Sequence, residues 1–122
     1  MYTPYVTTED CMQLGYVFAD DKFIEDASRQ VDTLTFNRIV AIGFDRLTEF
    51  QKEIVKKVVC EQAEFLQNNA DAISSIFDTY SINSVSMKFG TGVNFDVING
   101  VPMQRTTYSL LEQTGLCWRG AI

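Results

Sequence analysis

The chain has 122 residues and a formal net charge of −6, from 10 basic and 16 acidic side chains. That length suffices for one domain with its own hydrophobic core, without metal or disulfide staples. The acidic balance opposes ordinary binding along a phosphate backbone, and the absence of histidine removes the commonest general base and metal ligand, so neither an enzyme nor a bound cofactor is expected. The charge is uneven: residues 1–79 carry 14 of the acidic and 7 of the basic side chains, leaving the remainder nearly neutral. The longest apolar run, 39–44, is far too short to span a bilayer, and no basic-then-apolar leader follows Met1, so a cytoplasmic origin is expected. Cys11, Cys60 and Cys117 are odd in number, widely separated and outside any Cys-x-x-Cys spacing, which predicts buried reduced thiols rather than a zinc site or a disulfide framework.

In chain order, a short lead containing Pro4 precedes a brief helix that Thr7 or Thr8 can cap and Gly15 can stop. Asp20 or Asp21 can open a second helix, where Phe23, Ala27, Val31 and Leu34, with Ile24 alongside, form an apolar stripe. The acidic residues Asp20, Asp21, Glu25 and Asp26 fit capping and the helix dipole better than a metal site. Residues 38–46 then read as buried connecting structure broken by Gly43.

Residues 47–69 read as one long amphipathic helix of roughly 33 Å, the element around which the chain is organised. Thr48 and Gln51 form a capping box at its start. Phe50, Ile54, Val55, Val58, Val59, Phe65 and Leu66 fall on one broad arc, opposite Lys52, Glu53, Lys56, Glu64 and Gln67. Gln51 and Gln62 intrude on that arc, so Gln62 needs a buried partner or a wet interface. Residues 70–77 extend the helix, with Ile73, Ile76 and Phe77 turned toward the core.

The period then changes to two. Residues 82–89 alternate, with Val85, Met87 and Phe89 on one face, and Val93, Phe95 and Val97 alternate again after the Gly90-Thr91-Gly92 turn. The pair predicts a β-hairpin closed before Asn99-Gly100, an arm too thin to be stable alone and available for strand addition by a neighbour. A last helix is expected over 108–114, with Gly115 as its stop and Leu116 packed opposite Leu111 as in a Schellman motif. Beyond it the only tryptophan, Trp118, stands beside Arg119, residue types enriched at interface anchors. The expected fold is mainly α: a small helical bundle around one long helix, with a β-hairpin arm and a short C-terminal helix. The core spans about 7–79, the arm about 82–102, and the last helix and tail about 106–122.

This order of parts resembles the small head–tail connector, or adaptor, proteins of tailed bacteriophages and prophages. The resemblance rests on Ala27-Ser28 and Val31-Asp32 followed by 35–39, and on the 47–51 start of the long helix with its 59–64 continuation. It continues through the 84–90 strand to Leu110-Leu111, Thr114-Gly115-Leu116 and Arg119-Gly120. It implies a structural virion protein without catalytic residues: a ring, twelve-fold in that family, between the portal protein and the tail-side completion or stopper protein, with double-stranded DNA passing along the axis. Localisation would be the virion neck, and the host cytoplasm during assembly. An acidic wall suits that role, because a basic lining would hold the duplex through counterion release. The candidate partner-interface residues are Val85, Met87, Phe89, Phe95, Arg105, Trp118 and Arg119. Two alternatives are another phage assembly or tail-completion factor, and an acidic helix–turn–helix regulator. For the regulator the 40–47 connection is long and the charge is wrong. Carboxylate chemistry from Asp20 with Glu25 is a weaker alternative still.

Overall fold

The computed structural model describes residues 3–16, 21–79, 86–88 and 94–117. Along them run the helices α1 (Thr8–Gln13), α2 (Lys22–Leu34), α3 (Arg38–Ile42), α4 (Glu49–Thr79) and α5 (Arg105–Glu112), and the strands β1 (Ser86–Lys88), β2 (Asn94–Ile98) and β3 (Val101–Met103). The fold is mainly helical and organised on α4, as expected.

Helix starts and stops follow local chemistry closely. Before α4, the Thr48 hydroxyl accepts from the Gln51 N–H at 3.1 Å and the Gln51 side chain accepts from the Thr48 N–H at 3.0 Å. Two amides that no helical carbonyl can reach are thereby satisfied. Thr7 and Asp10 make the same reciprocal pair before α1. That helix ends in a Schellman motif, Tyr16 N–H donating to the Cys11 carbonyl and Gly15 N–H to Met12, with Gly15 at φ 96°. Asp21 occupies the N-cap position of α2 without capping it; its carboxylate accepts from the Thr8 hydroxyl instead. Asp20 lies outside the described residues. Near the end of its regular part, α4 breaks at Asn69 (φ −122°, ψ 17°), where the Asn69 amide donates back to the Phe65 carbonyl at 2.9 Å. A side chain that captures the i−4 carbonyl in this way bends a helix.

The core lies between α2 and α4. Ile24, Ala27, Val31 and Leu34 meet Ile54, Val55, Val58, Val59 and Leu66, with Leu111 of α5 and Val97, Val101 and Met103 of the sheet closing the other side. Gln62 lies fully buried among them, donating from Nε2 to Gln30 Oε1 at 2.8 Å and to the Pro102 carbonyl at 2.7 Å. Its own oxygen has no hydrogen-bond partner among the described residues. One side chain thus joins α4 to both α2 and β3, the buried partners that its position on the apolar arc requires.

Several expectations are corrected. Cys11 and Cys60 form a disulfide with 5.4 Å between their Cα atoms, so only Cys117 is a free buried thiol among the three. Wide separation in sequence says nothing about distance in space, and the α1–α4 contact supplies the proximity. Asn99-Gly100 does not end the sheet: with φ of 52° and 83° it is a two-residue hairpin turn joining β2 to β3, Ile98 opposite Val101. The sheet is therefore three-stranded and antiparallel, β1-β2-β3, and β3 is buried against α4 rather than held out as an arm. β1 pairs with β2 as predicted, whereas 82–85 and 89–93 lie outside the described residues, as do the Ile76 and Phe77 side chains. The last helix starts three residues early, and its stop differs from the expected motif. Leu116 N–H donates to the Thr114 hydroxyl at 3.1 Å, which in turn donates to the Leu111 carbonyl at 2.7 Å.

Candidate partner interface

Residues 38–46, read from the sequence as buried connection, are mostly open to solvent, and so are Phe36 before them and Phe50 after them. Phe36 is 40% exposed, Val40 61%, Ile42 43% and Phe50 58%; of the stretch 38–46 only Ile39 is buried. The cause is geometric. A five-residue helix offers the core one face, and Ile39 occupies it. Phe50 belongs to the apolar arc of α4 by angle, but α2 does not extend far enough to cover that first turn.

The turn into this corner is unusual. α2 ends in a Schellman motif, Asn37 N–H donating to the Asp32 carbonyl at 2.8 Å and Phe36 N–H to Thr33 at 3.1 Å. Phe36 itself takes the left-handed position, φ 56°, that glycine usually fills. A Cβ there is costly, and such strain concentrates at functional surfaces. The Arg38 guanidinium lies over the Phe36 ring at 5.3 Å and donates to the Leu116 carbonyl at 2.9 Å. Gln51 Nε2 donates to the Thr114 carbonyl at 3.0 Å. The corner is thereby fastened to the segment that leads to Trp118 and Arg119.

Of the predicted interface residues, Val85, Phe89, Trp118 and Arg119 lie outside the described residues. Met87 and Phe95 are register partners in the β1–β2 pair. Arg105 opens α5, exposed, with its guanidinium 3.9 Å from the Asp96 carboxylate and 5.4 Å from the centre of the Tyr108 ring. Asp96 follows Phe95 on β2, so Arg105 and that strand are neighbours. The structure does not bring Arg105 to the Phe36 corner, since the chain passes through α5 from Thr107, bonded to Glu61, and only beyond its end reaches Thr114, beside Gln51. The corner itself was missed as a site. Its signal was Phe36, an aromatic standing off the apolar stripe of α2.

Two groups, the partly buried Tyr16 and the buried Cys117, are shifted. Burial holds the Tyr16 phenol protonated well above its usual range, reinforced by its hydrogen bond to Glu61 and by the Glu61 and Glu64 charges. The Cys117 thiol is pushed up to about 12 by burial and by Glu112, against the opposing charge of Arg38. Both are thus poor nucleophiles at neutral pH. No cluster of three or more His, Cys, Asp or Glu side chains among the described residues is arranged to hold a metal ion. Glu25 lies 4.0 Å from Arg29 along α2, and Asp21 is bonded to Thr8, which accounts for two members of the acidic run. No helix among the described residues is long and apolar enough to cross a membrane. No protein-family model, curated protein or solved structure matches the chain.

Proposed function

We propose that the chain is a structural subunit of the neck of a tailed phage, forming a ring, twelve-fold as in the connectors it resembles. One face meets the portal protein and the other the tail-side stopper, and duplex DNA passes along the axis without sequence-specific contact. The observation that carries this reading is the exposure of Phe36, Val40, Ile42 and Phe50 along residues 36–50, a stretch that Arg38 and Gln51 tie to the backbone of Leu116 and Thr114. Apolar side chains left open beside an arginine stacked on an aromatic ring, here Arg38 over Phe36, are what a protein partner covers. The net charge of −6 adds support, because an acidic wall does not trap a passing duplex. The Cys11–Cys60 bond also suits a particle outside the cell, where disulfides persist.

The test is electron microscopy of portal rings from the encoding phage mixed with this protein. An added ring layer on the tail-side face is expected, and its loss with Val40→Asp or Phe50→Asp. Both positions are solvent-exposed, so these variants keep their fold. Bare portals at saturating concentrations of the parent chain overturn the reading.

A further inference from the structure

A groove of about 330 Å³ lies between α2 and α4 and straddles the break at Asn69. Phe23, Leu66, Ala70 and Ile73 give it an apolar wall, and Asp26 and Arg29 stand at its polar side. Phe23 and Ile73 are only partly covered by the chain's own packing. Arg29 has Glu25 at 4.0 Å, whereas Asp26 makes no ion pair among the described residues.

The groove and residues 114–116 sit at opposite ends of the α2–α4 pair. α2 and α4 are antiparallel, Gln30 bonding to Gln62 while Phe23 shares the groove with Ile73. Thr114 and Leu116 are held at the other end, by Gln51 and Arg38. Along α4 the distance from Gln51 to Leu66 is about 22 Å, and to Ile73 about 33 Å, at 1.5 Å per residue. Trp118 is one peptide beyond Cys117, a step of about 3.8 Å. That step is far shorter than the distance from residues 114–116 to the groove of the same chain.

We propose that Trp118 and Arg119 of one copy seat in this groove on the next copy, the indole against Phe23 and Ile73 and the guanidinium on the Asp26 carboxylate. This rests on the ring reading above and names the contact that builds the ring. Two different surfaces on identical chains make a head-to-tail contact, which propagates around a closed ring rather than stopping at a dimer. The charges match: Asp26 at the groove has no ion-pair partner among the described residues, and the segment brings an arginine. A tryptophan–arginine pair is also the usual composition of an energetic anchor.

Sedimentation of the full chain over a concentration series, with a portal-capture assay run in parallel, tests this. Trp118→Ala should weaken self-association by about 30-fold or more. Arg119→Glu and Asp26→Arg should each weaken it about 3- to 10-fold, and the chain carrying both should return to within about twofold of the parent, because the two sites meet in trans. Melting curves check folding, with Asp26→Asn standing in if Asp26→Arg lowers stability. Unchanged association in the single charge reversals, or a double variant no better than the singles, overturns the contact. A chain that stays monomeric at all concentrations also overturns it, but leaves the ring reading in place if portals still capture that chain. Failure of both assays removes both readings.

Discussion

The seam between α2 and α4 and the corner at residues 35–50 are built from the same kinds of side chain, with opposite fates. Val55, Val58 and Val59 are fully buried, whereas Val40 and Ile42 lie open although Ile39 beside them is covered. Apolar periodicity describes which residues share a face, and burial follows only where another element opposes that face. α2 opposes α4 over several turns. Nothing among the described residues opposes the outer side of α3. At about 1.5–3 kcal/mol for each fully buried aliphatic side chain, the seam supplies stability, while the corner leaves that gain for a partner to realise.

The largest effect should come from releasing the seam from α1. The Cys11–Cys60 bond closes a loop with a sequence separation of 49. Constraining the unfolded chain over such a loop contributes about 4 kcal/mol in the chain-entropy description. The Cys11→Ala/Cys60→Ala chain should therefore unfold at much lower urea than the oxidised parent. Identical midpoints with and without dithiothreitol would mean that the two sulfurs are not bonded in solution.

Next in size is Gln62→Ala, which strips the Pro102 carbonyl and the Gln30 side chain of their donor inside the seam. Orphaned buried groups and lost packing should together cost about 2–3 kcal/mol. Exchange of the amides in β3 and in the middle of α4 should accelerate together. Acceleration confined to one of them would show that the glutamine does not couple the sheet to the helices.

Smaller again is the boundary between the two regions. Thr48→Ala removes the capping box that starts α4 at the edge of the corner, and should cost about 1 kcal/mol with an unchanged denaturant slope. An unmoved midpoint would place the helix start elsewhere.

Phe36→Gly should act in the opposite direction and most weakly. It relieves a left-handed aromatic residue, at the expense of a more flexible unfolded chain, for a net gain of up to about 1 kcal/mol. Portal capture should fall at the same time, since the ring that Arg38 covers is removed from the corner. Loss of stability, or capture at full strength, would deny the corner its role.

Local chemistry was legible in the sequence wherever a few consecutive residues settle it. The Thr48–Gln51 box, the Gly15 stop, the period-two alternation around β1 and β2, and the apolar stripe of α2 are all short-range patterns, and each defines an element that folds as they indicate. The demand of Gln62 for a partner was equally readable, because a polar side chain on an apolar arc must be satisfied. Its partners were not readable: Gln30 and Pro102 come from other elements, 32 and 40 residues away along the chain. The disulfide, the burial of β3 and the exposure of Phe50 have the same origin. Each depends on how far α1, α2 and the sheet reach along α4, a length-matching between elements that only the packed tertiary structure decides.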